Sequence, residues 1–280
     1  MTRKTVARRV ELSGVGLHMG MSCRLGFEPA DAGSGVRFRR SDRPGSPDIP
    51  ARVDRAVLAE RRTQLGEGAE SIHTVEHVLA AVAAREIDDV VITMDGPEPP
   101  IMDGSAGPFF DALADACIVD GPGRADVFSL SAPIHLTDGE SEYRAEPSDV
   151  LDLDVEIDFP HPLIGKQRGR YRVTTDEFAR ELAGARTFGF VSEVAALRAK
   201  GLIRGATTDN AVVLDERDVV DATLRWPDEF VRHKAMDCVG DLALVGGRLL
   251  ARVHALRPSH RGTVLFVREM ARVLTRSEAC

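Results

Sequence analysis

Only four cysteines occur in the 280-residue chain, Cys23, Cys117, Cys238 and Cys280. They are widely scattered and form no C-x-x-C pair, which argues against a disulfide framework and against a cysteine-built zinc site. A reducing compartment, the cytoplasm, is the expected location. No apolar run approaches the roughly 20 residues that span a bilayer. The basic N-terminal stretch MTRKTVARRVELSG has no apolar segment behind it, so no secretory signal is expected. Basic excess is lacking too: 36 Lys and Arg stand against 44 Asp and Glu, a net charge of -8. That balance excludes the basic face of a nonspecific nucleic-acid binder, while a local cationic cluster remains compatible with an anionic small molecule. There is no internal repeat and no low-complexity tract. What remains, 43% hydrophobic and 29% charged, describes a soluble globular chain long enough for one large domain or two modest ones.

The first third reads as short strands and turns, with VARRVELSGVGLH strand-like and GSGVRFRRSDRPGSPDIPA a proline-broken loop. In SIHTVEHVLAAVAAREI, Val75, Val78, Leu79 and Val82 recur at helical spacing, with Ser71 or Thr74 as the expected cap. A buried strand, DDVVITMDG, and a second helix capped by Ser105 follow. The Gly- and Pro-rich IVDGPGRADVF suggests a boundary near residue 122 between an N-terminal unit, 1–122, and a C-terminal unit, 123–280. Beyond it, Leu151, Leu153, Val155 and Ile157 alternate as in a half-buried strand, and helices are expected over 175–185 and 192–200. A helix is expected to start after Pro227, whose fixed φ suits a first-turn position, and to stop at Gly246-Gly247. Strands followed by helices in each half indicate an α+β fold rather than a parallel βαβ wind.

Within the helix after Pro227, His233, Asp237 and Asp241 recur every four residues in FVRHKAMDCVGD. Residues at i and i+4 are neighbours on one helix face, so an imidazole and a carboxylate there can share a metal ion. A polar stripe on a solvated face is the plainer explanation. Two ligands are also too few, since a catalytic zinc has three with one position open. The third is best sought in HTVEHVLAA, where His77 can bind metal and the adjacent Glu76 can act as general base toward a water. The same stretch matches H-x-x-E-H of inverted zinc peptidases through His73 and His77. That alternative needs both histidines on one helix, and Thr74 as cap would leave His73 outside it. A further alternative is a protein that binds a nucleotide sugar or lipid without catalysis, against which stands Glu76.

The segments SGVGLH, TVEHVLAA, GPEPPIMDGSAGPF, ARTFGF, GATTDNAVVLD, DEFVRHKAMDCVGDLALVG and PSH, in this order, resemble the UDP-3-O-acyl-N-acetylglucosamine deacetylases, zinc amidases of lipid A synthesis. The likeness runs from about Thr5 into the last helix. It implies two α+β domains of similar layered topology with the active site in the cleft between them. It also implies a Zn²⁺ held by His77, His233 and Asp237, with Glu76 as general base. His260 in RPSHRG would be the cationic partner that stabilises the oxyanion and protonates the leaving amine, supported by Asp241. Thr187 matches a residue that bonds the scissile carbonyl oxygen, Phe188 one that packs on the sugar, and Lys234 one near the diphosphate. Leu17 and His18 resemble residues lining the cleft. The region at about 190–214 matches an insertion forming an apolar tunnel for the acyl chain, with Val191, Leu197 and Leu202 in it. The implied partner is a UDP-linked acylated glucosamine, bound by a monomer. Gly205-Ala206-Thr207 departs from the more usual Gly-Gly-Ser, which bears on tunnel width rather than chemistry.

Overall fold

The computed structural model describes residues 1–276. It is mixed α+β, with six α-helices and several sheets among those residues. The helices are α1 (Glu76–Ala84), α2 (Gly107–Asp115), α3 (Thr175–Glu181), α4 (Val191–Ala199), α5 (Glu229–Leu242) and α6 (His260–Val273).

A five-stranded sheet runs in the order Val10–Val15, Ser22–Pro29, Val90–Met94, Val36–Arg40, Ile49–Pro50. A seven-stranded sheet is built around Arg248–Leu256, which pairs antiparallel with Ser141–Pro147 and parallel with both Val127–Leu130 and Asp152–Phe159. Both sheets are mixed, as expected of an α+β chain rather than a parallel wind. Asp152–Phe159 and Gly165–Arg172 form a hairpin in which Leu153, Val155 and Ile157 point inward. That strand's sequence alternation therefore translates directly into one buried face.

Several local expectations are corrected. The stretch expected to be a loop after Gly35 contains Val36–Arg40, parallel to Val90–Met94. Its alternation was hidden by arginines, of which Arg39 is exposed and paired with Asp48, while Phe38 is fully buried. The Gly- and Pro-rich stretch around residue 122 holds a strand, Ile118–Arg124, antiparallel to Thr2–Val6. Neither Ser71 nor Thr74 caps α1. Val75 occupies that position without a side-chain cap, and Thr74, at φ 55°, instead donates its hydroxyl to the buried Glu98 at 2.6 Å. Ser105 sits one residue before the α2 cap position, accepting the Gly107 N–H at 3.2 Å. Helix α5 starts after Pro227, as expected, with Asp228 at the cap position between them. The end of that helix is as expected: a short 3₁₀ turn, Ala243–Val245, stops at Gly246 in the left-handed region, φ 84°.

Helices α1 and α5 cross at the centre of the molecule, and α6 packs on α5. One contiguous core joins Phe27, Phe38 and Ile92 of the five-stranded sheet to Val78 and Leu79 of α1, Val231, Ala235 and Val239 of α5, and Val155 and Val253 of the seven-stranded sheet. Each Leu, Val or Phe so buried contributes about 1.5–3 kcal/mol relative to exposure. That burial holds α1 and α5 in fixed register. His233, Asp237 and Asp241 are buried as well, so they form no solvated stripe on α5.

Candidate active site

At the crossing, the backbones of α1 and α5 approach so closely that only glycine fits at position 240. A Cβ there would stand 1.9 Å from the Glu76 carbonyl oxygen. This approach lays Glu76 and His77 against His233, Asp237 and Asp241.

His77, His233 and Asp237, all buried, each offer a ligand atom within 4.8 Å of the others'. Both imidazole Nε2 atoms lie 3.5 Å from Asp237 Oδ1, and the two rings are nearly perpendicular, 85°. Zinc bonded tetrahedrally at about 2.0–2.1 Å requires ligand atoms about 3.3 Å apart, so the spacing fits. His77 Nδ1 and Asp237 Oδ1 are buried without any hydrogen-bond partner, an expensive arrangement unless a cation satisfies the oxygen. His233 Nδ1 lies 3.2 Å from the Ala185 carbonyl, which accepts its proton and leaves the Nε2 lone pair turned to the cluster. Burial pushes the His233 ring down to about 4, against the pull of Asp237, so the ring is neutral, as a ligand must be. Burial alone would raise the Asp237 carboxyl, but His233, Lys234 and His260 outweigh it and hold it well below the usual carboxylate range. The donor set fits a zinc ion.

Beside these three lies an acid–base pair. His260, first residue of α6, is set by Ser259, whose hydroxyl caps that helix on Gly262 N–H at 3.1 Å. Its Nδ1 donates to Asp241 Oδ2 at 2.9 Å, and its Nε2 stands 3.7 Å from both Glu76 Oε1 and Asp237 Oδ2. Burial disfavours the imidazolium, yet Asp241, Glu76 and Asp237 together overcome it and raise the ring to about 9. Glu76 is raised chiefly by burial, then by Asp241 and Asp237, and His260 opposes the shift. The arrangement places a proton on His260 and a carboxyl poised to titrate high, the pattern of a paired general acid and base.

A cavity of about 630 Å³ opens from this cluster. Leu17, His18, Glu76, His77, Thr187, Phe188, Leu197, His233, Lys234, Asp237 and His260 line it. Asp241 stands behind His260, outside the wall. Val191, by contrast, is 49% exposed, and neither it nor Leu202 is part of the lining. Their neighbours Phe190, Val194 and Ile203 take that place. Lys234 donates to Asp237 Oδ2 at 2.9 Å, so its ammonium is committed at the cluster. Burial drives the His18 ring down to about 3, assisted by Arg62; Nδ1 accepts the Ile203 N–H at 3.4 Å.

Sequence reasoning missed three features. Glu98 is buried and accepts the N–H groups of His18 and Met19 and the Thr74 hydroxyl, which fixes the Leu17–His18 turn against α1. Thr63, in the strand Thr63–Leu65, contacts both Glu76 and Asp241. Finally, two exposed ion pairs, Arg61–Glu193 at 2.7 Å and Lys200–Glu60 at 2.8 Å, bridge the loop at 59–62 to α4 across the cavity mouth. Exposed pairs of this kind are weakened by solvent screening, so they hold the mouth only loosely.

His73 lies in the strand Ile72–His73, with its ring between Ser71 and Arg62. It cannot share a helix face with His77, as an H-x-x-E-H peptidase site would require.

Residues 3–272 match the family model for LpxC, UDP-3-O-acyl N-acetylglycosamine deacetylase. The chain is 40% identical to the UDP-3-O-acyl-N-acetylglucosamine deacetylase of Bdellovibrio bacteriovorus, over 92% of this chain and 86% of that protein. It is 39% identical to the deacetylase of the same name from Anaeromyxobacter sp., over 96% and 88% of the two chains. With that from Wolinella succinogenes the figures are 40%, 96% and 90%. A match over nearly the whole length, on a fold that assembles the motif residues in one cavity, leads to one conclusion: the chain belongs to the UDP-3-O-acyl-N-acetylglucosamine deacetylase family.

Proposed function

We propose that the chain is a zinc-dependent deacetylase that hydrolyses the 2-acetamido group of a UDP-3-O-acyl-N-acetylglucosamine, a step of lipid A synthesis. The observation that carries this is the meeting of His77, His233 and Asp237 with Glu76 and the His260–Asp241 pair at one end of one apolar cavity. His77, His233 and Asp237 would hold the zinc, which when bound supplies Lewis-acid polarisation of the amide carbonyl and acidifies water.

The remaining chemistry belongs to the protein. Glu76 takes a proton from the attacking water as its oxygen bonds to the acetamide carbon. His260, cationic and oriented by Asp241, faces the negative charge that develops on the carbonyl oxygen. Thr187, in the lining of the same cavity, would hydrogen-bond that oxygen. As the C–N bond breaks, a proton passes to the nitrogen from His260, and acetate and the free 2-amine leave. Phe188, Phe190, Val194, Leu197, Ile203 and Val213 offer the acyl chain an apolar channel, and Lys234, its ammonium on Asp237 Oδ2, adds positive charge beside the cluster. The chain would act as a cytoplasmic monomer whose two α+β units divide near residue 122. No helix among the described residues is long and apolar enough to cross a membrane.

Mass-spectrometric detection of acetate release from the UDP-linked acyl sugar, followed against pH, tests the proposal. Activity requires His260 protonated, so it falls as pH rises through that ring's value, about 9 in the metal-free protein. It also requires Glu76 ionised, so it falls as pH drops through a value that burial lifts above the ordinary carboxylate range. A bound dication lowers both limbs, by attracting the Glu76 carboxylate and by repelling the His260 imidazolium. The expected profile is a bell. Zinc-loaded protein that leaves the acetamide intact at every pH overturns the assignment.

A further inference from the structure

Thr63 is buried to 1% exposure and lies on a strand of a separate three-stranded sheet, Ala56–Leu58, Thr63–Leu65 and Ile72–His73. No metal ligand comes from that sheet. Yet Thr63 spends two polar groups on the acid–base pair. Its backbone N–H donates to Glu76 Oε2 at 3.0 Å, and its hydroxyl donates to Asp241 Oδ1 at 2.5 Å. The same oxygen is 3.4 Å from His260 Nδ1.

The two carboxylates are thereby each held by one oxygen. Asp241 has Oδ1 on Thr63 and Oδ2 on His260, which fixes the plane of the carboxylate and so the plane of the imidazole. Glu76 has Oε2 on Thr63, which leaves Oε1 as the oxygen that faces His260 Nε2 at 3.7 Å. A carboxylate held by one bond rotates about its terminal torsion, which is broad. One held on both oxygens, or held on one and packed, does not. We propose that Thr63 is a positioning residue for catalysis, a single clamp that sets the orientation of the general base and of the histidine–aspartate pair relative to each other. It touches neither metal nor substrate. This rests on the deacetylase reading above, in which Glu76 and His260 share the proton transfers.

The hydroxyl half of the clamp can be removed without the backbone half. Thr63→Val keeps the shape and the N–H bond to Glu76 but leaves Asp241 Oδ1 without its donor in a buried site. Thr63→Ser keeps the hydroxyl and loses a methyl group. Partners at this remove typically alter activity roughly 10–100-fold, so the Val variant is expected to lose that much in kcat. Its KM and zinc content should stay as in the wild type, because no substrate or metal contact is lost. Thr63→Ser should return kcat to within about threefold of the wild type. A merely structural role would instead lower melting temperature and leave kcat per folded molecule unchanged. If the Val variant does not fold, Thr63→Ser against Thr63→Ala gives the same comparison, with Ala expected to show the deficit and Ser not. Equal kcat in the hydroxyl-bearing and hydroxyl-free variants overturns the clamp. Wild-type protein that fails to release acetate in the same assay overturns the deacetylase reading instead, so the two failures are distinguishable.

Discussion

Replacing Glu76 by glutamine is expected to lower kcat by about 10²–10⁴-fold, the usual worth of a positioned general base. Glutamine preserves size, and its carbonyl can still accept the Thr63 N–H that now bonds Oε2. Zinc binding should survive, since the three candidate ligands are His77, His233 and Asp237 and not Glu76. Folding should survive as well, because a neutral amide replaces a carboxyl that burial already disfavours in its charged form. Steady-state acetate release from the zinc-loaded variant measures the effect. Turnover within a few-fold of the wild type would remove Glu76 from the chemistry.

The second large effect is expected at a residue with no side chain. In an exposed helix, Gly→Ala stabilises by about 1 kcal/mol through helix propensity. At position 240 the added Cβ would lie 1.9 Å from the Glu76 carbonyl oxygen, 2.7 Å from its carbonyl carbon and 3.0 Å from its Cα. These are backbone atoms of a buried helix and cannot turn aside, so α1 and α5 must separate. Overpacking of this kind costs about 1–3 kcal/mol, occasionally more, and outweighs the propensity gain. Each kcal/mol lost lowers Tm by roughly 2–4 °C in domains of this size class. The functional loss should be larger than the stability loss, because the shifted backbone carries Glu76 and His77. A displacement of about 1 Å can cost about 10²-fold in rate. Gly240→Ala is therefore expected to be folded, less thermostable, and about 100-fold slower. An alanine variant with unchanged kcat would show that the close approach of the two helices does not set the site.

These two residues show how much of the site was legible in the sequence. His233, Asp237 and Asp241 declared themselves because an α-helix converts a spacing of four into a shared face. Glu76 and His77 declared themselves because they stand side by side at the start of a helix whose apolar stripe Val75, Val78 and Leu79 already fill. His260 carried no such signal. It stands at the first position of α6 in a turn with no periodicity of its own, and only the PSH resemblance pointed to it. Thr63 and Glu98 were invisible because their partners lie far along the chain, 178 positions away for Thr63 and Asp241 and 80 for Glu98 and His18. A threonine or glutamate in a loop-like stretch has no local feature to mark such a contact.

The same physics accounts for the errors in the fold. Ser71 and Thr74 are good caps by residue type, but Thr74 has a tertiary partner, Glu98, that competes for its hydroxyl. The arginines of Val36–Arg40 read as polar loop because their ion pairs with Asp42 and Asp48 are formed only in the fold. The Gly-Pro-Gly run at residue 122 hides a strand, because its pairing with Thr2–Val6 is a long-range event that composition does not encode. By contrast, the alternation of Leu153, Val155 and Ile157 and the Gly246 stop on the α5 region needed only local rules, and both appear where those rules put them.

The central claim is that two imidazoles and one carboxylate, separated by more than half the chain, form one metal site. The zinc content of extensively dialysed protein tests it most directly. The account predicts about one zinc per chain in the wild type and in Glu76→Gln, and almost none in His77→Ala, His233→Ala and Asp237→Ala, since three protein ligands are the minimum for a catalytic zinc. Wild-type protein free of zinc after zinc reconstitution, or full occupancy in all three ligand variants, would contradict it.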